Sequence, residues 1–316
     1  MKDAVAAAAL GCFVGAILLS TVLQLLAGAA VFLFPASIWT WMYVAFLAYL
    51  AFSPLGSTPT WAQAFIRFSC AASKDYFPTK VIVEDESTLQ RDKAYVIGLE
   101  PHSSLPVAVP AVFGSESPLL PAALRGNCHG LASSVCFQFP LVRHLWWWLG
   151  LRPIDRHSMA ALLRHGKSVV LVPGGVQECL YMQPGSELAF LRNRKGFVRM
   201  AMRHGAPIIP VFAFGQSNTF QWYRPGPPWV SEAFVAKLSR RIGMVPLLIM
   251  GRWGTPLPIQ TPMTVVFGKP IPVPHTETPS DELVQEHLDK FITAMETLFH
   301  KYKAQAGFPD MQLFIR

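Results

Sequence analysis

The segment Glu100-Pro101-His102-Ser103-Ser104 carries the side chain best suited to acid–base chemistry at neutral pH. An imidazole can take a proton from an alcohol and return it to a leaving group, which is typically worth about 10²–10⁴ in rate. Residues 93–99 in front of it read as a buried strand, Pro101 ends that strand, and Ser103 or Ser104 can cap a following helix. His102 is therefore expected at the C-terminal edge of a sheet beside a helix start. Open α/β folds bind ligands there, and free N–H groups can hold an anion or a developing oxyanion. A capping or packing His is the alternative. A second candidate is Pro173-Gly174-Gly175-Val176-Gln177-Glu178, after the apolar residues 168–172. Its glycines allow close approach of the backbone to a ligand, and Glu178 adds a carboxylate at the same sheet edge; an ordinary turn with a surface Glu would look the same. A third is the basic stretch Arg192-Asn193-Arg194-Lys195-Gly196-Phe197 with Arg199, and a fourth is Lys269 after Phe267-Gly268. Such cations pair with phosphate, or simply end a solvated helix or turn.

Two further patterns carry less chemistry. Gly126-Asn127-Cys128-His129-Gly130 imitates a nucleophile elbow with Cys for Ser, but Arg125 and an upstream proline make a poor preceding strand. The nine His residues show no paired metal-ligand spacing, so no metal is expected.

These groups need a scaffold. Residues 158–165 read as a short helix ended by Gly166, and 195–204 as a helix stopped by Gly205 at C′. Residues 207–214 form a continuous apolar strand in which Pro210 argues for an edge position or a break. Residues 247–250 and 263–267 are further strands. The last helix is announced by a capping box at Thr278-Pro279-Ser280-Asp281 with Pro at N1, then by Leu283, Val284, Leu288, Phe291, Ile292, Met295, Leu298 and Phe299 at helical spacing. Strands alternating with helices imply an α/β layered domain over residues 55–316.

Residues 1–54 differ. Of these, 5–52 carry no charge, and 5–34 exceed the roughly 20 residues that span a bilayer. Pro35 breaks the run before a shorter apolar arm, so a two-helix membrane hairpin is expected. Lys2 before it and Arg67, Lys74 and Lys80 after it place both termini in the cytosol by the positive-inside rule. The whole chain of 316 residues is 52% hydrophobic and only 15% charged, which excludes disorder and argues against a purely soluble protein. A net charge of +8 suits anionic headgroups or a phosphorylated substrate. Nucleic acid fits less well, because no Lys/Arg run exceeds two residues. Five widely spaced cysteines without a CxxC pair indicate a reducing compartment. Trp146-Trp147-Trp148, Trp222-Tyr223 and Trp229 read as interfacial side chains or as aromatic core.

Taken in order, the hairpin, Tyr76-Phe77-Pro78, Glu100-Pro101-His102-Ser103, Val172-Pro173-Gly174-Gly175 with Glu178, Arg194-Lys195-Gly196-Phe197 with Ala201, and Pro210-Val211 with Phe214-Gly215 resemble the type-2 diacylglycerol acyltransferases. That family includes monoacylglycerol and wax-alcohol acyltransferases. The match covers the chain up to about Pro274. Animal members usually read His-Pro-His-Gly; the Glu-Pro-His-Ser form, and Gln216 after Phe214-Gly215, look like the plant and green-algal branch. The resemblance implies a glycerolipid-acyltransferase-like layered α/β fold with a mixed sheet. It implies acyl-CoA as a substrate, no cofactor, and diacylglycerol as acceptor, with monoacylglycerol or a long-chain alcohol as the alternative. It gives the catalytic role to His102; the positions of the motifs then make His102 the expected general base, the Ser103 or Ser104 N–H groups the oxyanion donors, and Arg194, Lys195, Arg199 and Lys269 the candidates for the CoA phosphates. It also places Tyr76, Phe77, Pro78, Gly174, Gly175, Gly196 and Phe197 at the substrate. The wider glycerolipid acyltransferases have an acid five residues after the His, where this chain has Val107. Of Glu100 and Glu178, the latter is preferred as the group that orients the imidazole. The implied location is the endoplasmic reticulum membrane or lipid droplets, in contact with its lipids; a homo-oligomer stays open. Rivals of another class are a Cys128-dependent hydrolase and a non-catalytic lipid-droplet protein.

Overall fold

The computed structural model describes residues 2–316, so Met1 of the expected 1–54 segment lies outside the described residues. In chain order the elements are α1 (Lys2–Leu33), α2 (Ile38–Phe52), α3 (Thr60–Tyr76), β1 (Thr79–Val83), β2 (Val96–Glu100), α4 (Ala108–Val112), β3 (Cys128–Ala132), α5 (Val142–Trp148), β4 (Arg152–Pro153), α6 (Arg156–Arg164), β5 (Ser168–Leu171), α7 (Val176–Tyr181), β6 (Ser186–Ala189), α8 (Lys195–His204), β7 (Ile208–Phe214), β8 (Gln221–Tyr223), α9 (Glu232–Ile242), β9 (Leu248–Met250), β10 (Met263–Phe267), α10 (Asp281–Tyr302) and β11 (Gln312–Ile315).

Seven strands make one mixed sheet in the order β1-β10-β7-β2-β5-β3-β4. β7, β2, β5, β3 and β4 are mutually parallel, and β10 enters antiparallel to β7 with β1 parallel to β10. The alternating inward residues explain why both faces are covered. Ile97, Leu99, Ile209, Val211 and Val265 pack under Ile66, Tyr76, Val109 and Phe113 on one face. Val96, Ile208, Phe212, Phe214 and Val266 pack under α6, α8 and α10 on the other. In α10, Leu288, Phe291, Met295 and Phe299 are fully buried, each contributing about 1.5–3 kcal/mol. The ring of Phe291 lies where a side chain at Gly98 would be, so α10 crosses β2 closely because position 98 has none.

Three sequence expectations are corrected. Of the two readings of Pro210 the edge fails, since β7 lies between β10 and β2, and the break holds, since the β10 ladder stops at Val211 beside it. The Pro210 carbonyl accepts from Gly268 N at 2.9 Å at the point where the β10 ladder ends, so the missing N–H falls where there is no strand partner to supply. The cap of α10 is Ser280, whose side chain accepts from Leu283 N at 3.2 Å, and not Thr278; Pro279 therefore precedes the helix. Ser103 and Ser104 cap nothing, because α4 begins only at Ala108 behind Val107.

The N-terminal pair of helices is broken at residues 34–37, as the sequence suggests. Within α1, Ala9–Leu33 is long and apolar enough to cross a membrane. α2, with 15 residues, spans only about 22 Å, short of a bilayer core of about 30 Å. The hairpin is not a separate appendage. Ser20 Oγ accepts from Leu141 N at 3.3 Å, and Tyr43 Oη donates to Leu23 O at 2.8 Å between the two arms. The buried Arg143 of α5 donates to Leu50 O (3.1 Å) and Ser53 O (2.7 Å), so a guanidinium satisfies the last carbonyls of α2. Facing outward are Leu25, Phe32, Phe34, Trp39, Trp41, Phe46 and Phe52, all exposed.

Candidate active site

β2 and β5 are adjacent and parallel, so the loops that leave their C-terminal ends meet. That single topological fact brings His102 to Glu178, 76 positions apart. His102 N–H donates to Glu178 Oε2 at 2.8 Å, and Phe190 N–H donates to Glu178 Oε1 at 3.0 Å. The carboxylate thus holds the backbone of the His102 loop, whereas the sequence reading gave it the imidazole. The ring is held otherwise. Its Nδ1 lies 2.9 Å from Ser103 O and 3.3 Å from Cys179 Sγ, and the Cys179 thiol donates to the same carbonyl at 3.2 Å. A carbonyl only accepts, so in the neutral ring the proton belongs on Nδ1 and the lone pair on Nε2. His102 is half-buried, and Nε2 has no hydrogen-bond partner among the described residues. Burial pushes the Cys179 thiol up to about 12, so it keeps its proton and remains a donor.

Beneath the loop lies a buried pair of acids. Glu100, the last residue of β2, accepts from Gly174 N at 3.3 Å through Oε1. Desolvation, then the neighbouring Glu178, push the Glu100 carboxyl well above the usual range. Desolvation also raises Glu178, but its two backbone N–H donors and Glu100 favour its charged form. Glu100 therefore carries the shared proton and Glu178 the charge. Gly174 belongs to this arrangement: a Cβ there would collide with Glu178 Oε1. Gly175 has φ +59 and lets the turn reverse into α7. Ser103 also sits in the left-handed region at φ +56, an unusual conformation for a residue with a side chain. Neither the Ser103 nor the Ser104 N–H finds an acceptor among the described residues, and Ser104 Oγ is sealed without a partner. Two residues that sequence reasoning gave no role complete the frame. Gln216 ties both ends of the loop, donating to Pro101 O at 2.5 Å and accepting from Ala108 N at 2.8 Å. Glu187, bonded to Ser217 Oγ at 2.9 Å, is pushed by burial up to about 8.

Two cavities flank this frame. One of about 340 Å³ is bounded by Pro101, Ser103, Glu178, Glu187, Ser217 and the C-terminal segment 307–311. The other, of about 330 Å³, lies between Pro173–Gly175, Gln177 and Arg194 on one side and Ser239 to Gly243 on the other.

The expected cations separate. Arg194 lines the second cavity while bracing the turn, donating to Gly174 O and Gln177 Oε1, each at 2.8 Å. Lys195 is half-buried at the start of α8, and Arg199 is paired with Asp281. Lys269 faces Asp85 at 3.9 Å. Because β10 runs antiparallel, its C-terminal end lies at the opposite edge of the sheet from His102, roughly 15–20 Å away by strand rise. Lys269 is thus not brought to the site. Nor are Tyr76 and Phe77, which are buried at the end of α3, three strands away; Tyr76 Oη donates to Pro258 O at 2.5 Å, and the exposed Pro78 leads into β1. Phe197 packs edge-on against Phe291 at 5.1 Å, and Gly196 is exposed beside it. Cys128 lies inside β3 rather than at a strand–helix turn, buried and pushed up to about 12, so it lacks both the elbow geometry and the thiolate a Cys hydrolase needs. No cluster of three metal-ligating side chains occurs among the described residues.

The sequence pattern of the family described as diacylglycerol acyltransferase matches residues 31–316. The chain belongs to the diacylglycerol acyltransferase family. It is 33% identical over 255 residues to human 2-acylglycerol O-acyltransferase 3, covering 75% of this chain and 72% of that one. It is 30% identical to Xenopus laevis diacylglycerol O-acyltransferase 2, covering 76% and 68%. It is also 30% identical to human acyl-CoA wax alcohol acyltransferase 2, covering 78% of each. Among solved structures, the Thermotoga maritima 1-acyl-sn-glycerophosphate acyltransferase PlsC is similar at 12% identity with a TM-score of 0.44, over 91% of this chain and 96% of that one. Like its family, this α/β protein with a mixed sheet is an acyl-CoA-dependent O-acyltransferase.

Proposed function

We propose that this acyltransferase moves a fatty acyl group from acyl-CoA to the free hydroxyl of diacylglycerol, with His102 as general base. The observation that carries the mechanism is the imidazole itself, fixed through Nδ1 on the Ser103 carbonyl with Nε2 left free at the C-terminal edge of the sheet. Nε2 takes the hydroxyl proton as the oxygen attacks the thioester carbon. We assign the oxyanion of the tetrahedral intermediate to the Ser103 and Ser104 N–H groups, which have no acceptor among the described residues. Collapse expels the CoA thiolate, which takes the proton back from Nε2. Direct transfer suits the site better than an acyl-enzyme, because Cys179 beside the ring is held as a thiol. We assign Arg194 to a CoA phosphate; its position at the wall of the second cavity supports this reading. Relatives acting on 2-acylglycerol and wax alcohol are as similar as those named for diacylglycerol, so monoacylglycerol or a long-chain alcohol is the alternative acceptor. The protein resides in the endoplasmic reticulum membrane, with both termini cytosolic, and reaches lipid droplets; its helical hairpin supports this reading.

The test is a microsomal assay with labelled oleoyl-CoA, offering diacylglycerol, monoacylglycerol and fatty alcohol in parallel. Diacylglycerol is expected to be the best acceptor, and His102→Ala to abolish transfer. Near-normal triacylglycerol formation by folded His102→Ala protein refutes the mechanism. Preference for another acceptor refutes the substrate assignment alone.

A further inference from the structure

Residues 219–257 leave the sheet after β7 and return just before β10, carrying β8, α9 and β9. Their inner side covers the site. Val235 of α9 and Val245 pack on Cys179 and Leu180 of α7, and Ser239 and Arg240 wall the cavity opposite Gly174 and Arg194. Their outer side is unusual. Trp229 is 90% exposed, Trp253 79% and Phe234 57%, and Tyr223 and Leu248, opposite each other in the β8–β9 pair, are exposed as well. Large aromatics left in the open on one short segment mark a contact surface rather than a solvated face. The same segment holds Arg224, Lys237, Arg240, Arg241 and Arg252 against the single acid Glu232, half of the net charge of +8. None of the five is ion-paired among the described residues. Phe234, Lys237 and Arg241 share one face of α9 by helical spacing, opposite the inward Val235 and Ser239. Of the five, Arg240 also walls the cavity and Arg224 has a buried Nη1, which leaves Lys237, Arg241 and Arg252 among the exposed aromatics, and that mixture complements an anionic lipid surface. The segment is also continuous with the apolar hairpin. Leu257 packs on Gly11 of α1, and Gly243 packs on Val135 while its carbonyl accepts from Ser133 Oγ at 3.2 Å, next to the turn that touches α2.

We propose that residues 219–257 are seated on an anionic bilayer surface, the same bilayer that holds the hairpin, and form the membrane-facing cover of the His102 site. This rests on the hairpin lying in a membrane, as argued under the function above. The lipid acceptor then meets the site along α9, without first entering water.

The experiment uses the full chain in nanodiscs of phosphatidylcholine with or without phosphatidylserine, in a Cys12→Ser, Cys136→Ser background. An environment-sensitive fluorophore is attached at Phe234→Cys or, as a second reporter, Trp229→Cys. Leu25→Cys in α1 serves as the buried reference and Glu296→Cys on α10 as the aqueous one; Leu25 and Glu296 are both exposed on the protein surface. Quenching by spin-labelled lipid is expected at 234 and 229 as at 25, and not at 296. Each basic residue at an anionic surface is worth about fivefold in partitioning, so Lys237→Glu with Arg241→Glu should lower the ratio of seated to unseated cover at 234 at least about 30-fold in phosphatidylserine discs and leave 25 unchanged. If 234 and 229 behave like 296 while 25 is quenched, the cover lies in water and the proposal fails, with the hairpin and the acyltransferase reading intact. Shielding of 234 only on addition of a cytosolic protein fraction overturns it in favour of a protein partner. If 25 is also unquenched, the hairpin reading and this one fall together. Acyl transfer measured on the same samples reports separately on the chemistry.

Discussion

Replacing Glu178 and Glu100 in turn by Gln separates the two buried acids. Glu178 accepts a backbone N–H on each oxygen, from His102 at 2.8 Å and from Phe190 at 3.0 Å. Gln keeps one acceptor and turns the other into an NH₂ that faces an N–H. One charge-assisted bond, about 1.5–3 kcal/mol, is lost, and a buried donor is left unsatisfied at about 1–3 kcal/mol more. Glu178→Gln should therefore cost about 3–5 kcal/mol and release the His102 loop. A base misplaced by about 1 Å loses about 100-fold in rate, so kcat should fall by that order. Glu100 is the protonated partner, and Gln reproduces it atom for atom: the carbonyl oxygen accepts from Gly174 N and the NH₂ donates to Glu178. Glu100→Gln should cost under about 1 kcal/mol, roughly fivefold at most in rate. Both variants are assayed for oleoyl transfer in microsomes and for thermal midpoint in detergent. If Glu100→Gln proves as damaging as Glu178→Gln, Glu100 is the anion and the assignment of the proton is wrong; if Glu178→Gln is near normal, the carboxylate does not hold the loop.

Three further outcomes are expected. Glu187 holds its proton up to about pH 8 in the fold but only to the ordinary carboxylate range when unfolded, so its contribution is full at low pH and is lost as pH rises toward 8; unfolding free energies should decline by a few kcal/mol over that window, Glu187→Gln should make the decline shallower and leave the share of Glu100, and an unchanged slope in the variant would contradict it. Cys179→Ala removes a hydrogen bond to the Ser103 carbonyl next to the ring, whereas Cys179→Ser preserves a donor; kcat should fall in the first and largely recover in the second at unchanged KM, and equal kcat for Ala and wild type would show that the thiol only fills space. Arg143→Ala strips partners from Leu50 O, Ser53 O and Phe137 O, so the end of α2 should become protease-sensitive with a loss of about 3–5 kcal/mol; unchanged cleavage around Gly56 would argue that water replaces the guanidinium.

The legibility of this sequence follows the range over which each signal acts. Local periodicity marked α8, with Gly205 ending it in the left-handed conformation, and marked the apolar stripe of α10. Local punctuation also brought His102 and Glu178 to the ends of strands. Whether those ends met depended on β2 pairing with β5, which nothing near either motif states. Strand direction was equally hidden: β10 looks like its neighbours in composition, yet its reversal carries Lys269 to the far edge. Pro210 alone could not tell an edge from a break, because that depends on where the β10 ladder stops, at Val211 beside it. The roles of Cys179, Gln216 and Arg143 had no signal in the sequence, since each acts on carbonyls or N–H groups distant in the chain, and main-chain partners leave no pattern of residue types.

The contact between Gly174 and Glu178 has a bearing on how such sequences can drift. The two positions are coupled: an Ala at 174 would push the Glu178 carboxylate off its two backbone N–H donors, and that cost disappears once the acid at 178 shortens or is lost. Substitutions that reach 174 should thus follow changes at 178 and not precede them, making the smaller residue a record of whether the acid behind the imidazole is still in use.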